Sequence, residues 1–153
     1  DYSLRYRHFN IELSIEVLSS MVHFFINKGQ RIGLISNGTI DNNSVITEIG
    51  RGTEQGVLIL ELLAKIKEVE TDENIFELLK TFSLPSRTTI IFITPSLTEL
   101  YCSHINKLKR ENVDLFTFIL ADENFRLTYN ILRDTVFNYK IIHKRVVYER
   151  THF

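Results

Sequence analysis

"TTIIFIT", Thr88–Thr94, is nearly continuous apolar sequence rich in β-branched residues, the pattern of a strand covered on both faces and hence of a parallel sheet. The sequence on either side fits that reading. "SLTE", Ser96–Glu99, has the form of a capping box and launches a helix to about Arg110. "VDLFTFIL", Val113–Leu120, is a second buried strand, followed by a helix over about Phe125–Phe137 and a terminal strand within Tyr139–Glu149. Upstream, Ile11, Ile15, Leu18, Val22, Phe25 and Ile26 recur at helical spacing, with Leu13, Val17, Met21 and Phe24 on a second face and Gly29 as the stop. "RIGLISNG", Arg31–Gly38, then reads as a strand ended by Asn-Gly, and "VITEI", Val45–Ile49, as its antiparallel partner across the polar "TIDNNS". "GRGTEQGVLILELLAKI" begins in glycine and runs into a strongly apolar helix with Thr53 as N-cap, and a short helix over Asn74–Phe82 follows. The order predicts an α/β fold: a Rossmann-like open sheet, mostly parallel with one antiparallel hairpin strand, and helices on both faces. A single domain over residues 1–153 is expected at this length.

The bulk composition narrows the function classes. Hydrophobic residues make up 44% and charged residues 24%, with a net charge of −1, so no excess of positive charge advertises nucleic acid or an anionic membrane. Cys102 is the lone cysteine, has no metal-ligand spacing around it, and reads as a buried thiol of a reducing compartment. No apolar run is long enough to span a bilayer. The chain opens on Asp rather than Met, which is read as a fragment of a longer protein.

That opening, "DYSLR", places Asp1, Ser3 and Arg5 at alternate positions, so that in an extended loop all three point to one side. The stretch "FNIELSIEVLSSMVHFFINKGQRIGLIS" supplies a glutamate opening a helix, Glu12, a small pair two turns on, Ser19 with Ser20, and the phrase Gly29 through Leu34 entering a strand. Together with "GRGTEQGVLILELLAKI", which ends in Leu63-Ala64, and "TIIFIT", it resembles the von Willebrand factor A-like domain of the bacterial family called domain of unknown function 58. The likeness runs over roughly residues 1–121. It implies a site in which carboxylate and hydroxyl oxygens from three loops hold a hard cation such as Mg²⁺. Asp1 and Ser3 match the first two ligands and Thr53 the threonine, whereas Arg5 stands where the family has a second serine and Pro95 where it has an aspartate. The expectation is a degenerate cation site at Asp1, Ser3 and Thr53 without a working Mg²⁺ or other cofactor. Arg5 replaces the metal by reaching an acidic partner residue, and Ser3 and Thr53 donate hydrogen bonds beside it. The resemblance further implies a non-enzymatic protein-interaction module, cytoplasmic or tethered to the membrane through the rest of a longer protein, acting beside a MoxR-type AAA+ ATPase.

Competing chemistry has narrower support. Asp122 or Glu123, after a parallel strand, occupies a position where a hydrolase or transferase would place a carboxylate. Glu12, Glu16 and His23 share a helix face but read as a solvated stripe, and His8, His104, His143 and His152 have no paired ligand spacing. "GRGT" lacks the Lys-Ser/Thr of a phosphate loop. Lys140, Lys144, Arg145 and Arg150 interleave with aromatic residues, yet in a net-acidic chain they read as charges guarding an edge strand rather than as a nucleic-acid contact.

Overall fold

The structure is a computed structural model describing residues 2–67, 74–95, 98–111, 113–121 and 138–143, with the backbone alone for 2–9, 121 and 143. The chain divides into two compact units, Asp1–Pro85 and Ser86–Phe153.

The first unit is led by helix α1, Tyr2–Asn27, of 26 residues. The expected helix over Ile11–Lys28 is present but starts nine residues earlier, so "DYSLR" is helix from Tyr2 onward rather than extended chain. The physical reason is legible afterwards: Tyr2, Tyr6, Phe9 and Leu13 recur at helical spacing, which competes with the alternation of period two. Gly29 stops the helix at φ 68, and its N–H and that of Gln30 return to the carbonyls of Ile26 and Phe25.

Four short strands follow. β1, Arg31–Ile32, pairs antiparallel with β4, Gly50–Arg51, while β2, Ile35–Ile40, pairs antiparallel with β3, Asn43–Ile46. The hairpin turns at Asp41 and Asn42, whose φ values of 51 and 64 are the left-handed pair that a two-residue turn of this twist requires. Asn37-Gly38, the expected end of the strand, is instead an insertion within β2: Ser36 faces Val45 and Thr39 faces Ser44, so the two residues between them have no opposite number. Thr47 closes the base of the hairpin by accepting the N–H of Leu34 on its Oγ1 at 2.7 Å while its own N–H donates to the Leu34 carbonyl at 2.8 Å.

Helix α2, Thr53–Lys65, and helix α3, Ile75–Lys80, complete the unit, with Asn74 capping α3 by accepting from the Phe76 N–H. Val22 of α1, Leu34, Val45 and the α2 residues Ile59 and Leu63 form the core, and Ile15, Leu18, Ile26 and Ile66 pack against it.

In the second unit β5, Thr89–Thr94, β6, Asp114–Ala121, and β7, Asn138–His143, form a three-stranded parallel sheet in the order β5-β6-β7. The parallel reading of "TTIIFIT" is correct. The strand most completely buried, however, is the central β6, where Leu115, Thr117, Ile119 and Leu120 are 4% exposed or less. Ile90–Ile93 of β5 are only half-buried. Helix α4, Glu99–Arg110, lies on the sheet face that carries Phe92 and Thr117, as the edge-to-face pair of Tyr101 with Phe92 shows (centroids 6.3 Å apart). Its cap is Thr98, whose Oγ1 accepts from the Tyr101 N–H, two residues beyond the expected Ser96, which lies outside the described residues. The helix expected over 125–137 also lies outside them.

The fold is thus mixed α/β with a parallel sheet, but among the described residues the hairpin is not a strand of that sheet. β2 and β3 pair with each other, and β2 meets one further residue at the Thr39–Lys67 bridge. No helix among the described residues is long and apolar enough to cross a membrane.

Candidate functional site

The residues expected to converge are Asp1, Ser3, Arg5 and Thr53. Asp1 lies outside the described residues, and Ser3 and Arg5 belong to the first turns of α1. Thr53 is the exposed first residue of α2, one turn from Gly56, whose Cα hydrogen faces Ile26 at the opposite end of α1 (a Cβ there would stand 3.1 Å from Ile26 Cγ1). Between Ser3 and Ile26 a continuous helix rises about 35 Å, at roughly 1.5 Å per residue. The segment expected as a loop is thus the first turns of α1, with Ser3 and Arg5 at the end of that helix opposite to Ile26, against which the start of α2 packs.

Thr53 also differs from its expected role as N-cap. The cap is Gly52, at φ 90 and ψ 178, and no side chain bonds the first turn of α2. A residue with a Cβ rarely adopts that backbone conformation, which accounts for the glycine in "GRGT". The entry to α2 is held instead by Gln55, whose Nε2 donates to the carbonyls of Ile32 at 2.9 Å and Glu48 at 2.8 Å. Gly50 makes room for that side chain, since a Cβ there would fall 2.5 Å from Gln55 Oε1. One amide thus ties the helix start to the β1 strand and to the segment leading into β4. Arg31 and Arg51 are direct cross-strand neighbours there, both exposed.

From this anchored end α2 turns Gly56, Ile59 and Leu63 inward. The opposite side carries Glu54, Val57, Leu58, Glu61, Ala64 and Lys65, all exposed, as a period of 3.6 residues dictates. Val57 is 49% and Leu58 45% exposed, adjacent aliphatic side chains in water on the helix that the sequence marks as strongly apolar. The second stripe of α1 behaves similarly along its length. Leu13 is buried, Val17 and Met21 are half-buried, and Phe24 is 57% exposed, with Lys28 Nζ 5.9 Å from its ring centroid. Sequence reasoning missed the outward aliphatic pair of α2 because Val57 and Leu58 stand in an unbroken run of apolar residues, where periodicity cannot tell an outward position from an inward one.

The remaining candidates do not assemble. Glu12, Glu16 and His23 are exposed along α1 as a solvated stripe, and His104 of α4 is half-buried. Cys102 is a free, buried thiol held above its ordinary pKa by burial and then by the nearby Glu99 carboxylate, so it stays protonated and poorly nucleophilic. Among the described residues no three His, Cys, Asp or Glu side chains gather as a metal-holding group. Lys140 is exposed on β7, while Asp122, Glu123, Lys144, Arg145 and Arg150, and the side chains of His8, His143 and His152, lie outside the described residues. No family model, curated protein or solved structure matches this chain.

Proposed function

We propose that this chain is a protein-interaction module of the von Willebrand factor A-like kind, not an enzyme, which meets its partner through the outward face of α2. The observation that carries the reading is the exposed aliphatic pair Val57 and Leu58 on a helix whose start is rigidly anchored by Gln55. Exposed aliphatic side chains on a fixed scaffold contribute to association, because their removal from water is favourable and their backbone needs no further ordering. The likeness of the phrases around Glu12, Gly29 and Thr53 to the bacterial family supplies the kind of partner, a MoxR-type AAA+ ATPase. In this reading β5, β6 and β7 belong to the core sheet of such a domain, which is cytoplasmic, and the full-length protein is cytoplasmic or membrane-anchored. Cation binding at Asp1, Ser3 and Thr53 has no part in this reading, in which Ser3 belongs to the first turn of α1 and Thr53 opens α2.

The test is a titration of the purified chain against a MoxR-type ATPase of the same host, followed by the Val57→Glu/Leu58→Glu double variant. Both sites are already solvated, so the variant keeps its fold by circular dichroism. Burying two carboxylates in a contact is expected to weaken binding on the order of tenfold or more. Equal binding by variant and wild type, or no binding by either, contradicts the proposal.

A further inference from the structure

We infer that Asn37 is a site of spontaneous deamidation, a covalent change built into strand β2. Among the asparagines of the chain only Asn37 is followed by glycine. The reaction needs the backbone nitrogen of the next residue to reach the side-chain carbonyl carbon, and a Cβ on that residue obstructs the approach. Asn37 is exposed, and it and Gly38 form the insertion between the Ser36–Val45 and Thr39–Ser44 pairs, so neither residue has a partner across the hairpin ladder. The Gly38 N–H donates to the side-chain Oγ of Ser36 at 3.0 Å rather than to a strand carbonyl. The attacking nitrogen can therefore turn toward Asn37 without breaking a β2–β3 backbone hydrogen bond.

The step balances with water alone. The Gly38 nitrogen gives up its proton and bonds to Cγ of Asn37, the Cγ–Nδ2 bond breaks, and ammonia leaves with that proton, giving a five-membered succinimide. Water then opens the ring at one of its two carbonyls, at Cγ to give aspartate and at the main-chain carbonyl to give isoaspartate. Either product places a negative charge in the bulge, and isoaspartate also adds a methylene to the backbone of β2. Two residues on, Thr39 exchanges both backbone hydrogen bonds with Lys67, at 3.0 and 2.9 Å, so the change reaches the contact that fastens the hairpin to the end of α2.

The experiment incubates the folded chain at mildly alkaline pH and maps its peptides by mass, with isoaspartyl methyltransferase labelling as a second readout. The peptide containing Asn37 is expected to gain the mass of OH for NH₂ and to accept methyl groups. Its conversion should be on the order of tenfold faster than at Asn27, Asn42 or Asn43, which lack a following glycine. Asn37→Gln, whose longer side chain closes a less favourable ring, should abolish the labelling. The inference is overturned if Asn37 survives in the folded chain while the urea-unfolded chain converts it, or if labelling persists in Asn37→Gln.

Discussion

Two threonines show how one hydroxyl stabilises or burdens a fold according to what it meets. Thr47 Oγ1 satisfies the buried Leu34 N–H. Thr47→Val keeps the shape and removes the acceptor, and leaving that donor unpaired should cost about 1–3 kcal/mol in urea unfolding. Thr117, with 0% exposure on β6, has no hydrogen-bond partner for its Oγ1 among the described residues. Thr117→Val keeps the shape and removes a hydroxyl that no described residue partners, and stability should hold or rise by about 1 kcal/mol. A fall of similar size would reveal a partner for the hydroxyl. Cys102 adds a pH dependence whose sign follows from its raised pKa. The folded state favours the protonated thiol, so this contribution is complete below the ordinary value of 9.0 and is lost as the pH rises through the higher folded value. Iodoacetamide should modify Cys102 slowly in the folded chain and readily in urea, and equal rates would contradict its burial.

Among the elements, α2 has its course decided by backbone positions more than by its apolar run. Gly52 caps it at φ 90 without a side-chain hydrogen bond. Gly52→Ala meets open space, with no atom within 4 Å of the added Cβ, so its whole cost is conformational, about 1–3 kcal/mol, seen as a lowered unfolding midpoint. An unchanged midpoint would mean the helix start relaxes freely. Element types were legible where chemistry and periodicity agree. The β-branched run of β5 reads as a strand of a parallel sheet and the apolar run of β6 as a buried strand, and Gly29 reads as the stop of α1. The cap of α4 did not, because Ser96 and Thr98 can each supply the hydroxyl and only the fold selects Thr98. The end of the first strand differs for a related reason: Asn37-Gly38 and Asp41-Asn42 both tolerate left-handed backbone, and pairing alone decides that the turn within "TIDNNS" falls at Asp41-Asn42 while Asn37-Gly38 becomes the bulge.

At the scale of the molecule, the sequence supports the mixed α/β class but not the number of sheets. A periodic run identifies a strand, whereas its neighbours are set by contacts distant in sequence, and among the described residues β2 and β3 pair with each other rather than with the parallel sheet. The placement of the expected site residues is decided at the same scale. Alternate positions at Asp1, Ser3 and Arg5 suggested a shared side only if the chain there was extended, and one continuous helix carries Ser3 and Arg5 to the far end of α1 from Thr53. The partner surface proposed on α2 is tested most directly by hydrogen exchange. With a MoxR-type ATPase bound, exchange should slow over 53–65 and stay unchanged over 2–9. Slowed exchange over 2–9 with none over 53–65 would contradict it and return the contact to the opening segment.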